Sequence, residues 1–214
     1  MIELTQGANN VIKNNTIDVS VQCTLASGSS NELDVSAFML NASGKVLQDD
    51  NFIFYNQPAS PDGAITLNYQ QSENQIFSIN LSKVATDVQK IAIVITGSQA
   101  FSQVQLLRVD VHGELFYQPV KDRLEEKSLI LAEIYRHQNN WKFRAVGQGY
   151  KAGLAPLATS YGVDIFDEPE QPPATPTVNI QKTSISLHKP GEKTTISLAK
   201  GQTLTARLQW DTNA

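Results

Sequence analysis

Apolar and polar residues alternate along most of this chain. In "TIDVSVQCTL" the side chains of Ile17, Val19, Val21 and Cys23 fall on one face and polar neighbours on the other. That period of two is what a half-buried β-strand requires. "LDVSAFML" follows after the turn-rich "ASGSSNE", and "NASGK" closes it with residues suited to a turn. "VLQDDNFIFYN" predicts a returning strand, and "QPASPDG" predicts a loop with Pro58, Pro61 and Gly63. "IFSINLS", "KIAIVITG", "LLRVDVHG" and "GELFYQPV" predict further strands, with "KVATD" as a turn.

One stretch has two readings. "RLEEKSLILAEIYRH" contains Glu125, Glu126, Lys127 and Ala132, which favour helix by propensity. Yet "HQNN" reads as a turn, and beyond it Trp141, Phe143 and Ala145 alternate with Lys142 and Arg144. A partner strand of that kind predicts a hairpin, with Ile130, Ala132 and Ile134 sharing one face. "GLAPLATSYG" predicts one short helix near 153–161, limited by Pro156 to a turn or two unless the proline lies in its first turn. Many short strands with turns between them predict an all-β fold, a sandwich of two mostly antiparallel sheets.

The character of the chain changes after Ile165. "FDEPEQPPATPTVNIQKT", with Pro169, Pro172, Pro173 and Pro176 among acidic neighbours, reads as an extended linker over 167–183. From Ile185, "ISLHKPGEKTTISLAKGQTLTARLQWD" echoes the opening "IELTQGANNVIKNNTIDVSVQCT". Ile2-x-Leu4 matches Ile185-x-Leu187, and Gly7 matches Gly191. The expected organisation is one sandwich domain over 1–166, the linker, and the first strands of a second copy over 184–214. About 30 residues cannot bury a core alone, so such a tail is expected to dock, to oligomerise or to stay mobile.

Composition narrows the function. The 214 residues carry 17 Lys and Arg against 21 Asp and Glu, a net charge of −4. No basic cluster supplies a stripe for phosphates, so a nucleic-acid partner is not expected. Cys23 is the only cysteine, which rules out an intrachain disulfide and a cysteine-rich metal site, and its setting predicts a small buried residue. "MIELTQGANN" lacks the features of a secretory signal, and no stretch is long and apolar enough to span a membrane. A soluble cytoplasmic protein is the expectation. Gly147, Gly149 and Gly153 do not have the spacing of a dinucleotide loop, and they lie late in an all-β pattern. They are read instead as positions of unusual dihedral angle or close backbone approach. His112, His137 and His188 show no metal-ligand spacing, and no nucleophile motif is present, so no enzyme activity is expected.

Two long stretches nevertheless have a familiar look. "LDVSAFMLNASGKVLQDDNFIFYNQPASPDGAI" and "EIYRHQNNWKFRAVGQGYKAGLAPLATSYGVDI" closely resemble the TerD family of tellurium-resistance and stress proteins, over about residues 1–166. The resemblance implies a non-catalytic β-sandwich linked to tellurite resistance and general stress response. It implies partners among other tellurium-resistance or stress proteins, some of them at the membrane, and calcium held by acidic loops. The tail resembles the opening of another such domain.

On that resemblance the metal candidates are Asp34, Asp50, Asp62 and Glu73. Calcium takes six to eight oxygens, so several acids must converge. Where calcium-binding members have a long acidic segment after "SPDG", this chain has "AITLNYQQSENQIFSINLS" with Glu73 as its one acid, which predicts a degraded site. Asp34 and Asp62 also read as ordinary turn acids that accept backbone hydrogen bonds. A single cysteine with Met1 and Met39 is a thin supply of soft ligands for tellurium itself. The competing function is an adhesin-like binder of carbohydrate or another ligand, which would need Trp141 and Phe143 exposed in a groove. Arg136, Lys142 and Arg144 are read as a solvated hairpin face.

Overall fold

The computed structural model describes residues 1–28, 31–68, 74–119 and 125–163. The stretches expected to be a linker (167–183) and the start of a second repeat (184–214), together with Glu73, lie outside the described residues. The alternating segments form β1 (Ile2–Leu4), β2 (Asn9–Val11), β3 (Thr16–Leu25), β4 (Leu33–Leu40), β5 (Phe52–Ile53) and β6 (Ile65–Asn68). They continue as β7 (Asn74–Asn80), β8 (Lys90–Gly97), β9 (Val104–Val111), β10 (Leu115–Tyr117), β11 (Ser128–His137) and β12 (Asn140–Tyr150), followed by helix α1 (Leu154–Ser160). One six-stranded sheet has the order β1-β10-β9-β3-β7-β6 and the other β2-β12-β11-β8-β4-β5. Every pairing is antiparallel except β1 with β10.

The first sheet buries Ile17, Val19, Val21 and Cys23 of β3, the face expected from their alternation. They pack in one core with Val35, Ala37 and Met39 of β4, Ile91, Ile93 and Ile95 of β8, and Phe143 and Ala145 of β12. The sandwich is therefore closed by apolar contact between the two sheets. The N-terminus ties them further. β1 joins one sheet and β2 the other, and the amide of Gly7 donates to the Ala145 carbonyl at 2.8 Å where the chain crosses.

The ambiguous stretch is a hairpin. β11 and β12 pair from Ser128–Tyr150 to His137–Asn140, joined by Gln138 and Asn139, both at positive φ (48° and 63°). Two left-handed residues in a two-residue loop are what a twisted hairpin demands. Side-chain contact along the hairpin and its sheet overrides the helix propensity of the sequence. The shared face expected for Ile130, Ala132 and Ile134 does not hold. The register slips between Ile130 and Ala132, against both β12 and β8, so Leu131 and Ala132 both face the central core while Ile130 faces away from it. A bulge of this kind adds a residue on one strand and reverses the alternation beyond it.

Ile130 joins a second core on the outer face of that sheet. There Phe38, Leu40, Phe52, Ala92 and Val94 are covered by Leu157 and Ala158 of α1 and by Val163. The helix is seven residues long, and Pro156 lies in its first turn, where a missing amide hydrogen costs nothing. The strand expected from "VLQDDNFIFYN" is shorter than its pattern implies. Asp49–Asn51 form a 3-10 turn, and only Phe52 and Ile53 are strand. Arg136 is not on a solvated face. Its Nε donates to the Val88 carbonyl at 3.0 Å and its Nη2 to the Val84 carbonyl at 2.9 Å, while its guanidinium lies over Trp141.

The glycines serve the bulge and its neighbourhood. Gly147 has φ +66°, and a Cβ there would strike the Tyr117 hydroxyl. Gly149 has ordinary φ, but a Cβ would run into the Glu126 side chain. Gly147→Ala is expected to cost about 1–2 kcal/mol for the left-handed backbone, with a further loss from the Tyr117 clash. In urea melts, Tyr117→Phe combined with Gly147→Ala should recover part of the loss relative to Gly147→Ala alone. A neutral Gly147→Ala would mean that the backbone there is not held at positive φ.

Candidate functional site

A cleft of about 530 Å³ opens on the helix-covered face beside β4. Strand geometry explains its composition. Asp34 and Ser36 alternate with the core residues Val35 and Ala37, so they point to the outer face, where Thr96 of β8 pairs directly with Asp34. β5 pairs with β4 only at Ala37 and Phe38, which leaves the stretch from Asp34 to Ser36 at the open margin of the sheet. Phe52, Phe54 and Tyr55 line it, as do Leu154 and Val163. Asp49 and Gln57 also line it.

The aromatic wall is a continuation of the second core. The rings of Phe38 and Phe52 stack with centroids 4.4 Å apart, and Phe52 stacks on Phe54 at 4.7 Å. Phe54 meets Tyr55 edge to face at 5.4 Å, and Tyr161 packs on the other side of Phe38 at 5.1 Å. Rings in this series run from a buried centre to Tyr55, which is 49% exposed. The period-two spacing of Phe52 and Phe54 carried this signal in the sequence. What the sequence did not reveal was that α1 stops short and leaves the outer end of the series, Phe54 and Tyr55, accessible.

Of the four metal candidates, the three among the described residues do not gather into a group. Asp34 is exposed at the cleft, and its carboxyl is raised above the usual range, first by partial burial and then by neighbouring Glu32. Asp50 lies on the 3-10 turn, where its buried Oδ1 accepts no hydrogen bond from the described residues. Asp62 organises its own loop. Its Oδ1 accepts from the Ser60 hydroxyl at 2.6 Å and from the Ala64 amide at 2.9 Å. Among the described residues no group of three or more His, Cys, Asp or Glu side chains is placed to hold a metal ion. By themselves the described acids do not supply the six to eight oxygens that calcium takes around one point.

The residues of the carbohydrate alternative are placed elsewhere. Phe143 is fully buried, and Trp141 is half-buried with Arg136 4.4 Å above its ring, so neither offers an open stacking platform. The strongest ion pairing on the outer face surrounds Glu133. Lys90 approaches it at 2.7 Å and Arg144 at 3.5 Å, and Arg144 also covers Tyr135. In that group the carboxylate is paired with cations, whereas no ion pair among the described residues involves the cleft acids Asp34 and Asp49.

Two packed sheets with a short helix over one outer face define a β-sandwich whose accessible cleft combines aromatic walls with carboxylates. Residues 1–161 match the TerD domain, so the chain belongs to the TerD-domain family. It is 34% identical over 171 residues to "Tellurium resistance protein TerD" of Serratia marcescens, covering 72% of this chain and 89% of that protein. It is 35% identical over 152 residues to "General stress protein 16U" of Bacillus subtilis, covering 63% of this chain and 79% of that protein. The crystal structure of a homologue of telluride resistance protein (TerD) from Streptomyces coelicolor has the same fold. It superposes with a TM-score of 0.55 at 16% identity, over 71% of this chain and 99% of that one.

The hydrogen bonds of Asp62 generate a test of what that residue does. Asp62→Ala should lower stability by about 1–2 kcal/mol, and Asp62→Asn should keep most of it because an amide oxygen can accept both bonds. Chemical melts in EDTA and in millimolar calcium should give the same ranking. A loss seen only in calcium would make Asp62 a metal ligand instead of a loop brace.

Proposed function

We propose that this chain is a non-catalytic binding module of the tellurite and general stress response, acting in the cytoplasm. Its partners, on this reading, are other tellurium-resistance or stress proteins, some of them associated with the membrane. The observation that carries the reading is the open aromatic and acidic cleft on the helix-covered face. Its described lining has hydroxyls in Ser36, Thr96 and Tyr55 but neither His nor Cys, which supports recognition over nucleophilic chemistry. The named relatives in tellurium resistance and general stress support the biological setting. Among the described residues no helix is long and apolar enough to cross a membrane, so contact with a membrane would run through a partner.

A host carrying the other tellurite-resistance genes, but deleted for its own TerD-domain gene, tests the reading. Expression of this chain should restore growth on tellurite, and the tagged chain should retain tellurium-resistance proteins through purification. Failure to restore growth, or turnover of a substrate by the pure chain, would overturn it.

Calcium is the weaker part of the reading, because the described acids are scattered. Thermal melts in EDTA, calcium and magnesium should give one midpoint. Saturation at about 100 times the dissociation constant would add roughly 2.7 kcal/mol and several degrees. A rise of that size specific to calcium would return Asp34, Asp50 and Asp62 to the role of ligands.

A further inference from the structure

The chemistry of the cleft says more about its occupant, provided that the chain is the binding module described above. We propose that the cleft binds the ammonium or guanidinium head of a ligand carried on an apolar body, with Asp34 and Asp49 as counter-ions and Phe54, backed by the buried Phe52, as the wall against which the body lies.

Charge carries the first part. Asp34 and Asp49 both line the cleft, and among its described lining residues there is no Lys, Arg or His. Neither carboxylate forms an ion pair among the described residues. Glu133, on the same face of the same sheet, is the internal contrast: it is held between Lys90 and Arg144. An anion placed in this cleft would meet two like charges, and the described lining offers a metal ion only two carboxylates.

The rings carry the second part. Elsewhere in the domain Phe116, Trp141 and Tyr135 each have a guanidinium over the face, at 4.1, 4.4 and 4.6 Å. Phe52 has a ring on each face, Phe38 and Phe54, but no side-chain cation of the described residues is placed in this way on Phe54, although a carboxylate-lined cleft opens beside it. A ring face attracts a cation through its quadrupole, and a nearby carboxylate strengthens that preference. Leu154 and Val163, which also line the cleft, supply apolar contact for the remainder of the ligand. A volume of about 530 Å³ lies in the range of small-ligand pockets and suits an arylalkyl amine or one cationic side chain of a peptide.

The test titrates the full chain with 2-phenylethylammonium, with neutral 2-phenylethanol, and with acetyl-Phe-Lys-amide, following amide signals by heteronuclear NMR. The ammonium should shift Ser36, Thr96 and Leu154, and the alcohol should bind at least about tenfold more weakly. Asp34→Asn should weaken the ammonium by about tenfold, the loss of one charge-assisted contact, while its melt shows a folded protein. Tighter binding of the peptide than of the amine would identify a protein side chain as the source of the cation. The reverse order would identify a free amine. Equal affinity for amine and alcohol, unchanged binding in Asp34→Asn, or shifts confined to another face would overturn the proposal. If amine binding fails while growth on tellurite is restored, the ligand assignment falls and the binding-module reading stands. If growth is not restored, that reading falls with it.

Discussion

The bulge between Ile130 and Ala132 fixes which residues of the central hairpin face each side of its sheet. Without it, Ile130, Ala132 and Ile134 would share one face and Leu129, Leu131 and Glu133 the other. With it, Leu131 and Ala132 enter the core between the sheets while Ile130 joins Phe38 and Val94 outside. Gly147 lies in the matching slip on β12, and its left-handed backbone together with the nearby Tyr117 hydroxyl leaves no room for a side chain. One irregularity thus divides the outer face. Near α1 it is apolar; beyond the bulge it carries Glu133 with Lys90 and Arg144.

The apolar half creates the need for a cover, and the cover is small. An isolated helix of seven residues is unstable in water, so α1 persists because Leu157 and Ala158 are buried against the sheet. Such a short element cannot cover the whole apolar surface. At its margin β5 contributes only two residues, and Phe54 and Tyr55 continue the ring series outward. The cleft is the part of the second core that neither α1 nor β5 covers. Its aromatic wall is therefore rigid for the same reason that the fold is stable, which suits a site that must hold a shape before a ligand arrives.

Much of the architecture was legible from alternation. Ile17, Val19, Val21 and Cys23 gave one buried face of β3, and Trp141, Phe143 and Ala145 revealed the hairpin against the helix propensity around Glu125 and Glu126. The glycines were legible as backbone positions, since neither their spacing nor their place in the chain suits a phosphate loop. The bulge was not legible, because "LILA" is apolar throughout and offers no polar residue to mark a change of face. Arg136 was misplaced for a related reason. Its neighbours in sequence are polar, but its acceptors are the carbonyls of Val84 and Val88, far away in the chain. The cleft went unread because a local pattern shows that Phe52 and Phe54 share a face and cannot show where a helix from a hundred residues later ends.

The acidic residues show how far a family pattern can be carried to one chain. Asp62 sits in the loop where the pattern expects it, yet its Oδ1 is engaged by Ser60 and Ala64, a role that calls for no metal. Asp34 keeps its place on the outer face, but the described carboxylates that would complete a calcium site do not gather around it. What stands beside it is Thr96, Asp49 and an aromatic wall. A carboxylate without enough oxygen neighbours cannot satisfy a hard divalent ion, which prefers a full oxygen shell to ring faces. A monovalent organic cation needs one or two carboxylates and gains from the rings. Two carboxylates without a third among the described residues, beside the ring of Phe54, therefore favour the same kind of charge, held by a different chemistry.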